Sequence, residues 1–96
     1  MMKIAVAHIL VEQKYEAEDL LRKLKEGASF EELAKKHSKC PSAPQGGDLG
    51  VIDSGRLDQD FADAAALLKP GQISGTVRTR FGYHLIQRKS LPGENL

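Results

Sequence analysis

Lys3-Ile4-Ala5-Val6-Ala7-His8-Ile9-Leu10-Val11 is the stretch from which the architecture can be read. At the period of two of an extended chain, Ile4, Val6, His8 and Leu10 fall on one face and Ala5, Ala7, Ile9 and Val11 on the other. Both faces are apolar, so the pattern predicts a central strand covered on both sides. His8 is therefore carried into buried company. One lysine before an apolar run also has the outline of a secretory leader. Against that, His8 interrupts the run and Glu12, rather than a small-residue cleavage site, follows it, so the segment is read as mature structure.

Downstream, Glu12 to Lys14 breaks the alternation. From Tyr15 the residues Ala17, Leu20, Leu21 and Leu24 recur at i, i+3, i+4 and i+7, the stripe of an amphipathic helix, and Gly27 supplies its stop. Ser29-Phe30-Glu31-Glu32 fits a capping box, with the serine accepting from the Glu32 amide and that carboxylate reaching back. A shorter helix follows, with Phe30, Leu33, Ala34 and His37 on one side, and Pro41 prevents its continuation.

His37 to Gly50 holds the single cysteine, two of the four prolines and the run Gly46-Gly47-Asp48-Leu49-Gly50. So many turn formers predict a surface loop with room for one short helical turn, and binding residues concentrate on such loops. Asp48 to Asp53 then reads as a short strand and Ser54-Gly55 as a turn. A helix from about Gln59 to Leu68, capped by Asp58, places Phe61, Ala64, Ala65 and Leu68 together. Lys69-Pro70-Gly71-Gln72 has the residues of a type II turn. Ile73 to Thr79 and Tyr83 to Lys89 read as two strands of a hairpin joined at Arg80-Phe81-Gly82, and the tail from Pro92 as frayed.

The order β-α-α-(short helix)-β-α-β-β argues an α+β class: a four-stranded, mostly antiparallel sheet packed by helices. His8 lies in the first strand and His84 in the last. If those strands are neighbours, the imidazoles meet across the sheet, since adjacent side chains come within ~5 Å.

At 96 residues this is one domain, 1–96, with no repeat or interdomain linker. Hydrophobic residues at 41% and charged residues at 28% argue against disorder, and a net charge of +1 argues against a nucleic-acid surface. No run approaches the ~18 apolar residues of a membrane span. A lone cysteine makes no internal disulfide, so a cytoplasmic, reduced setting is expected.

With three histidines and one cysteine, the reactive chemistries can be enumerated. A cysteine nucleophile with a histidine base needs an orienting third group and oxyanion donors, for which so short a chain leaves little room. A metal site from Cys40, His8, His37 and His84 would lack the paired short spacing of zinc ligands. Plainer readings exist as well. His8 and His84 suit a buried structural pair, His37 suits the C-terminal dipole of its helix, and Leu57 and Phe61 suit ordinary core.

Taken together, Ala7-His8-Ile9-Leu10-Val11, the run Ala28 to Ser38, Cys40-Pro41-Ser42, Gly46 to Gly50, Phe61 and Phe81-Gly82-Tyr83-His84-Leu85-Ile86 resemble a parvulin-type peptidyl-prolyl cis/trans isomerase of the small single-domain bacterial kind. The resemblance runs from about Lys3 to Lys89. It implies a parvulin fold, related to the FKBP-like class, and rotation about Xaa-Pro bonds in flexible protein segments with no cofactor. It further implies that His8 and His84 are the paired core histidines, that Cys40 stands where relatives carry cysteine or aspartate, and that Thr79 joins the histidine network. Leu49, Leu57 and Phe61 would form the proline pocket, with Phe81 at its edge. The phosphate-selective branch has a long basic loop after the first strand. Glu12-Gln13-Lys14 is short and nearly neutral, so a hydrophobic or general preference before proline is expected instead. The expected partners are proline-containing client segments, without nucleic acid or membrane, and the expected state is a monomer. The alternative is a non-catalytic peptide-binding or chaperone module using the same groove.

Overall fold

The computed structural model describes residues 3–91. Its elements are β1 (Lys3–Val11), α1 (Lys14–Lys25), α2 (Phe30–His37), β2 (Asp48–Asp53), α3 (Gln59–Ala66), β3 (Val77–Thr79) and β4 (Gly82–Lys89), with single 3-10 turns at Ala43–Gln45 and Ser54–Arg56. The expected tail from Pro92 lies outside the described residues. One sheet in the order β2-β1-β4-β3 is antiparallel throughout, and β1 is central.

Local chemistry accounts for the helix ends. The Gln13 amide, at the start of α1, donates to Glu16 Oε1 at 3.1 Å. At the other end the Gly27 and Ala28 amides close onto the carbonyls of Leu24 and Lys23 at 3.1 and 3.0 Å. Ser29 Oγ accepts from the Glu32 amide at 3.3 Å. Only that half of the predicted capping box forms, because Glu32 lies exposed and water solvates its carboxylate as well as an amide would. Asp58 Oδ1 caps α3 by accepting from the Asp60 amide at 3.0 Å.

One expectation needs correction. The strand predicted over Ile73 to Thr79 is regular only at Val77–Thr79, preceded by an isolated bridge from Ile73 to Gln87. Ser74 is the reason: its own amide donates to the Ile86 carbonyl at 2.8 Å, while its hydroxyl, in place of a backbone carbonyl, accepts the Ile86 amide at 2.9 Å.

The two faces of β1 are buried against different partners. Ala7, Ile9, Val11 and Leu85 pack under α1 and α2 with Ala17, Leu20, Phe30, Leu33 and Ala34. On the opposite face Ile4, Val6 and Ile86 pack against Phe61 and Ala65 of α3. That second cluster covers only one end of its face, and the site occupies the remainder.

Candidate active site

His8 of β1 and His84 of β4 are diagonal neighbours, since His8 pairs with Ile86 and Leu10 with His84. Their rings stack at 5.1 Å, 17° from parallel, with the two Nδ1 atoms 3.0 Å apart. Phe61, carried by α3, sets its ring edgewise to both, 5.3 Å from each centroid. Thr79 Oγ1 lies 2.7 Å from His84 Nε2 and accepts the Phe81 amide at 3.1 Å. The chain from the hairpin amide through Thr79 to the two imidazoles is therefore continuous.

That chain is completed by neutral rings, with one proton between the two Nδ1 atoms; protons on both would set N–H against N–H. Burial pushes the His8 pKa from 6.5 down to about 4, and the neighbouring His84 pushes it further in that direction. Burial also lowers His84, partly opposed by the Asp58 carboxylate. His8 Nε2 is buried without a hydrogen-bond partner among the described residues, so a charged His8 would have an uncompensated N–H.

Two loops bring the remaining walls. The Lys39 amide donates to the Leu10 carbonyl at 2.7 Å and Ser38 Oγ accepts from the amides of Leu10 and Cys40, fixing Cys40 beside the end of β1. The β1–β2 register shifts between Val6, opposite Gly50, and Ala7, opposite Asp48, so Leu49 is an extra, bulged residue. A bulge re-aims its side chain, and here it sends Leu49 to the cavity. Gly47 makes that approach possible: its φ is +80°, its carbonyl accepts the His8 amide at 2.9 Å, and a Cβ there would lie 2.2 Å from the His8 carbonyl oxygen.

The resulting cavity of about 340 Å³ is lined by His8, Cys40, Leu49, Leu57, Phe61, Phe81 and His84, which are the predicted side chains apart from Thr79. Thr79 lies behind His84, buried, and positions it. Phe81 is 58% exposed and forms the outer edge, with Arg80 over its ring at 4.9 Å. Leu10, Lys39, Pro41, Arg56 and Asp58 also line the cavity. Leu10 could have been found from its sharing a strand face with His8. Lys39 and Arg56 carry no sequence signal beyond their adjacency to Cys40 and Leu57.

The other enumerated chemistries lose their groups. Cys40 is half-buried and, among the described residues, its sulfur makes no hydrogen bond to either imidazole. Both Nδ1 atoms and His84 Nε2 are engaged within the chain just described, and the remaining ring nitrogen, His8 Nε2, has no hydrogen-bond partner among the described residues, so no imidazole is paired with the Cys40 sulfur as a base. His37 lies in a separate cleft with Val11, Glu16 and Leu20, and among the described residues no three His, Cys, Asp or Glu side chains group as metal ligands.

Comparison with known proteins agrees with this geometry. Residues 7–90 match the profile of the rotamase family, the PPIC-type PPIase domain. The chain belongs to that family. It is 45% identical over 93 residues to the foldase protein PrsA of Bacillus subtilis, covering 96% of this chain and 32% of PrsA. The crystal structure of the peptidylprolyl isomerase PrsA from Bacillus anthracis superposes with a TM-score of 0.89 at 46% identity, covering 91% of this chain and 41% of that one. NmPin, the parvulin of Nitrosopumilus maritimus, superposes at 0.83 with 40% identity over 94% of this chain and 98% of its own. This PPIase domain thus spans about a third of the curated PrsA and nearly the whole of a single-domain parvulin. The parvulin fold expected from the residues, an α+β sheet of four strands with three helices, is the fold shared with these structures.

Proposed function

We propose that this domain catalyses cis/trans rotation about Xaa-Pro bonds in unfolded or flexible protein segments, assisting their folding without cutting any bond. The observation that carries this is the convergence of Leu49, Leu57 and Phe61 with Cys40 and the neutral histidine pair on one cavity. An Xaa-Pro amide rotates over a barrier of ~18–20 kcal/mol because the twisted form loses its resonance. Uncatalysed exchange takes tens to hundreds of seconds. Acceleration requires only that the twisted amide be held better than either planar form. An apolar cup for the pyrrolidine supplies the grip, and its walls remove the water that favours the planar, charge-separated amide. The histidine pair holds Phe61 edge-on and keeps β1 and β4 in register beneath the cup. Cys40 contributes polarity beside the rotating carbonyl rather than covalent attack, in keeping with the absence, among the described residues, of a hydrogen bond from its sulfur to either imidazole.

The experiment is an NMR exchange spectrum of a short Xaa-Pro peptide with substoichiometric protein. Cis and trans resonances joined by cross-peaks support the reading; resonances that shift on binding but stay unconnected leave only a peptide-binding module. Cys40→Ser is expected to retain more exchange activity than Phe61→Leu, and the reverse ranking would assign the cysteine a direct chemical part. The client segments are proposed to be bound by a monomer, which sedimentation equilibrium tests. A cytoplasmic setting is likewise proposed, supported by the free Cys40 thiol and tested by cell fractionation.

A further inference from the structure

The floor of the cavity is apolar and its rim is cationic. Lys39 and Arg56 both line it, each one residue before a wall residue, Cys40 and Leu57. Both are exposed, and among the described residues neither takes part in an ion pair. The carboxylate that lines the same cavity, Asp58, is already engaged: its Oδ1 accepts the Asp60 amide at 3.0 Å and its Oδ2 faces Arg80 Nε at 3.9 Å. In a chain whose net charge is only +1, two cations thus share this mouth with one carboxylate, Asp58, which a third cation, Arg80, also faces. Charges beside low-dielectric walls act over longer range than the same charges on an open surface.

We infer that Lys39 and Arg56 select substrates in which the residue immediately before proline carries a carboxylate. The inference rests on the isomerase reading and names the substrate class of that same cup. With the ring on Leu49, Leu57 and Phe61 and the rotating amide beside Cys40, the preceding side chain leaves the cup past the residues that flank Cys40 and Leu57. Lysine and arginine are long enough to follow it through the rotation. The connection Glu12-Gln13-Lys14, on which the expectation of a hydrophobic or general preference was based, contributes no residue to this cavity. Selectivity is instead set by the two loops that build the walls.

The test compares kcat/KM, from NMR exchange, for four matched peptides with Glu, Gln, Leu or Lys before proline. At low ionic strength Glu is expected to exceed its isostere Gln on the order of fivefold, the size of two partly solvated ion pairs. That ratio falls toward one in about 0.5 M salt as the charges are screened. In the double reversal Lys39→Glu with Arg56→Glu the ranking inverts, and Lys exceeds Glu. A Glu peptide no better than Gln in the unmodified protein, or a Glu preference that survives the reversal, overturns the inference. Should the reversal not fold, Lys39→Gln and Arg56→Gln singly must each narrow the Glu to Gln ratio, and an unchanged ratio in both overturns it equally. Exchange of all four peptides without a Glu advantage leaves the isomerase reading standing, whereas no exchange of any peptide removes the activity and this selectivity with it.

Discussion

The two faces of the sheet are built from the same strands and differ in what they bury. Under α1 and α2 the buried side chains are apolar, from Ala7 and Ile9 to Phe30 and Leu33. The α3 face has a smaller apolar cluster and also carries His8, Thr79, His84 and Arg88, all buried. Arg88 Nη1 donates to the carbonyls of Ala65 and Leu68 at 3.0 and 3.3 Å, so a buried cation closes the C-terminal end of the helix that holds Phe61. The closed face supplies stability through area removed from water. The open face gives up part of that area to a cavity and replaces it with polar groups that must find one another. Changes that disturb those polar groups should therefore be felt in both stability and activity, and changes on the closed face in stability alone.

The largest expected effect is at Gly47. An alanine there combines a left-handed backbone with a Cβ driven into the His8 carbonyl, and about 4 kcal/mol of destabilisation is expected in urea titration. A near-neutral result would mean that the loop is not held against β1 as described. Acid comes next. An unfolded imidazole takes its proton near 6.5 and folded His8 only near 4, so between these values the unfolded chain binds more protons and acid favours unfolding. This contribution is complete above about pH 6.5 and is lost as pH falls toward 4, about 3 kcal/mol in all, with His84 acting in the same direction. Stability measured against pH that stays flat from 7 to 4 would contradict the neutral pair.

Thr79→Val removes the hydroxyl between the Phe81 amide and His84 Nε2, and should cost about 2 kcal/mol while moving the imidazole ¹⁵N resonances. Thr79→Ser should restore both. The smallest pair of changes sharpens the contrast most. Phe61→Leu and Phe30→Leu should each cost about 1.5 kcal/mol, one buried phenylalanine on each face. Exchange activity per folded molecule should fall only for Phe61→Leu. An equal loss for Phe30→Leu would erase the distinction between the faces.

Much of this was legible along the chain. Alternation placed β1 at the centre, the three- and four-residue spacings located each helix, and Asp58 marked the start of α3. The site residues were named through the resemblance to the parvulin family, whose motifs stand in order along the chain, whereas periodicity alone left Leu57 and Phe61 as ordinary core. The break in the strand before β3 was not legible, since a serine hydroxyl replacing a backbone acceptor looks like any other serine in a strand. The cationic rim was equally hidden, because Lys39 and Arg56 are ordinary solvated residues until two separate loops bring them to one cavity.

Local preference and periodicity act over a few residues, so the order and kind of the elements, and which strand faces are apolar, follow from the chain alone. Contacts between residues far apart depend on register and loop path, and these are settled only when the whole core closes. The diagonal meeting of His8 with His84, the bulge that turns Leu49 inward, and the joining of Cys40 to Leu57 across one cavity belong to that second kind. A one-residue slip in either pairing would leave every local signal unchanged and point those side chains to the other face.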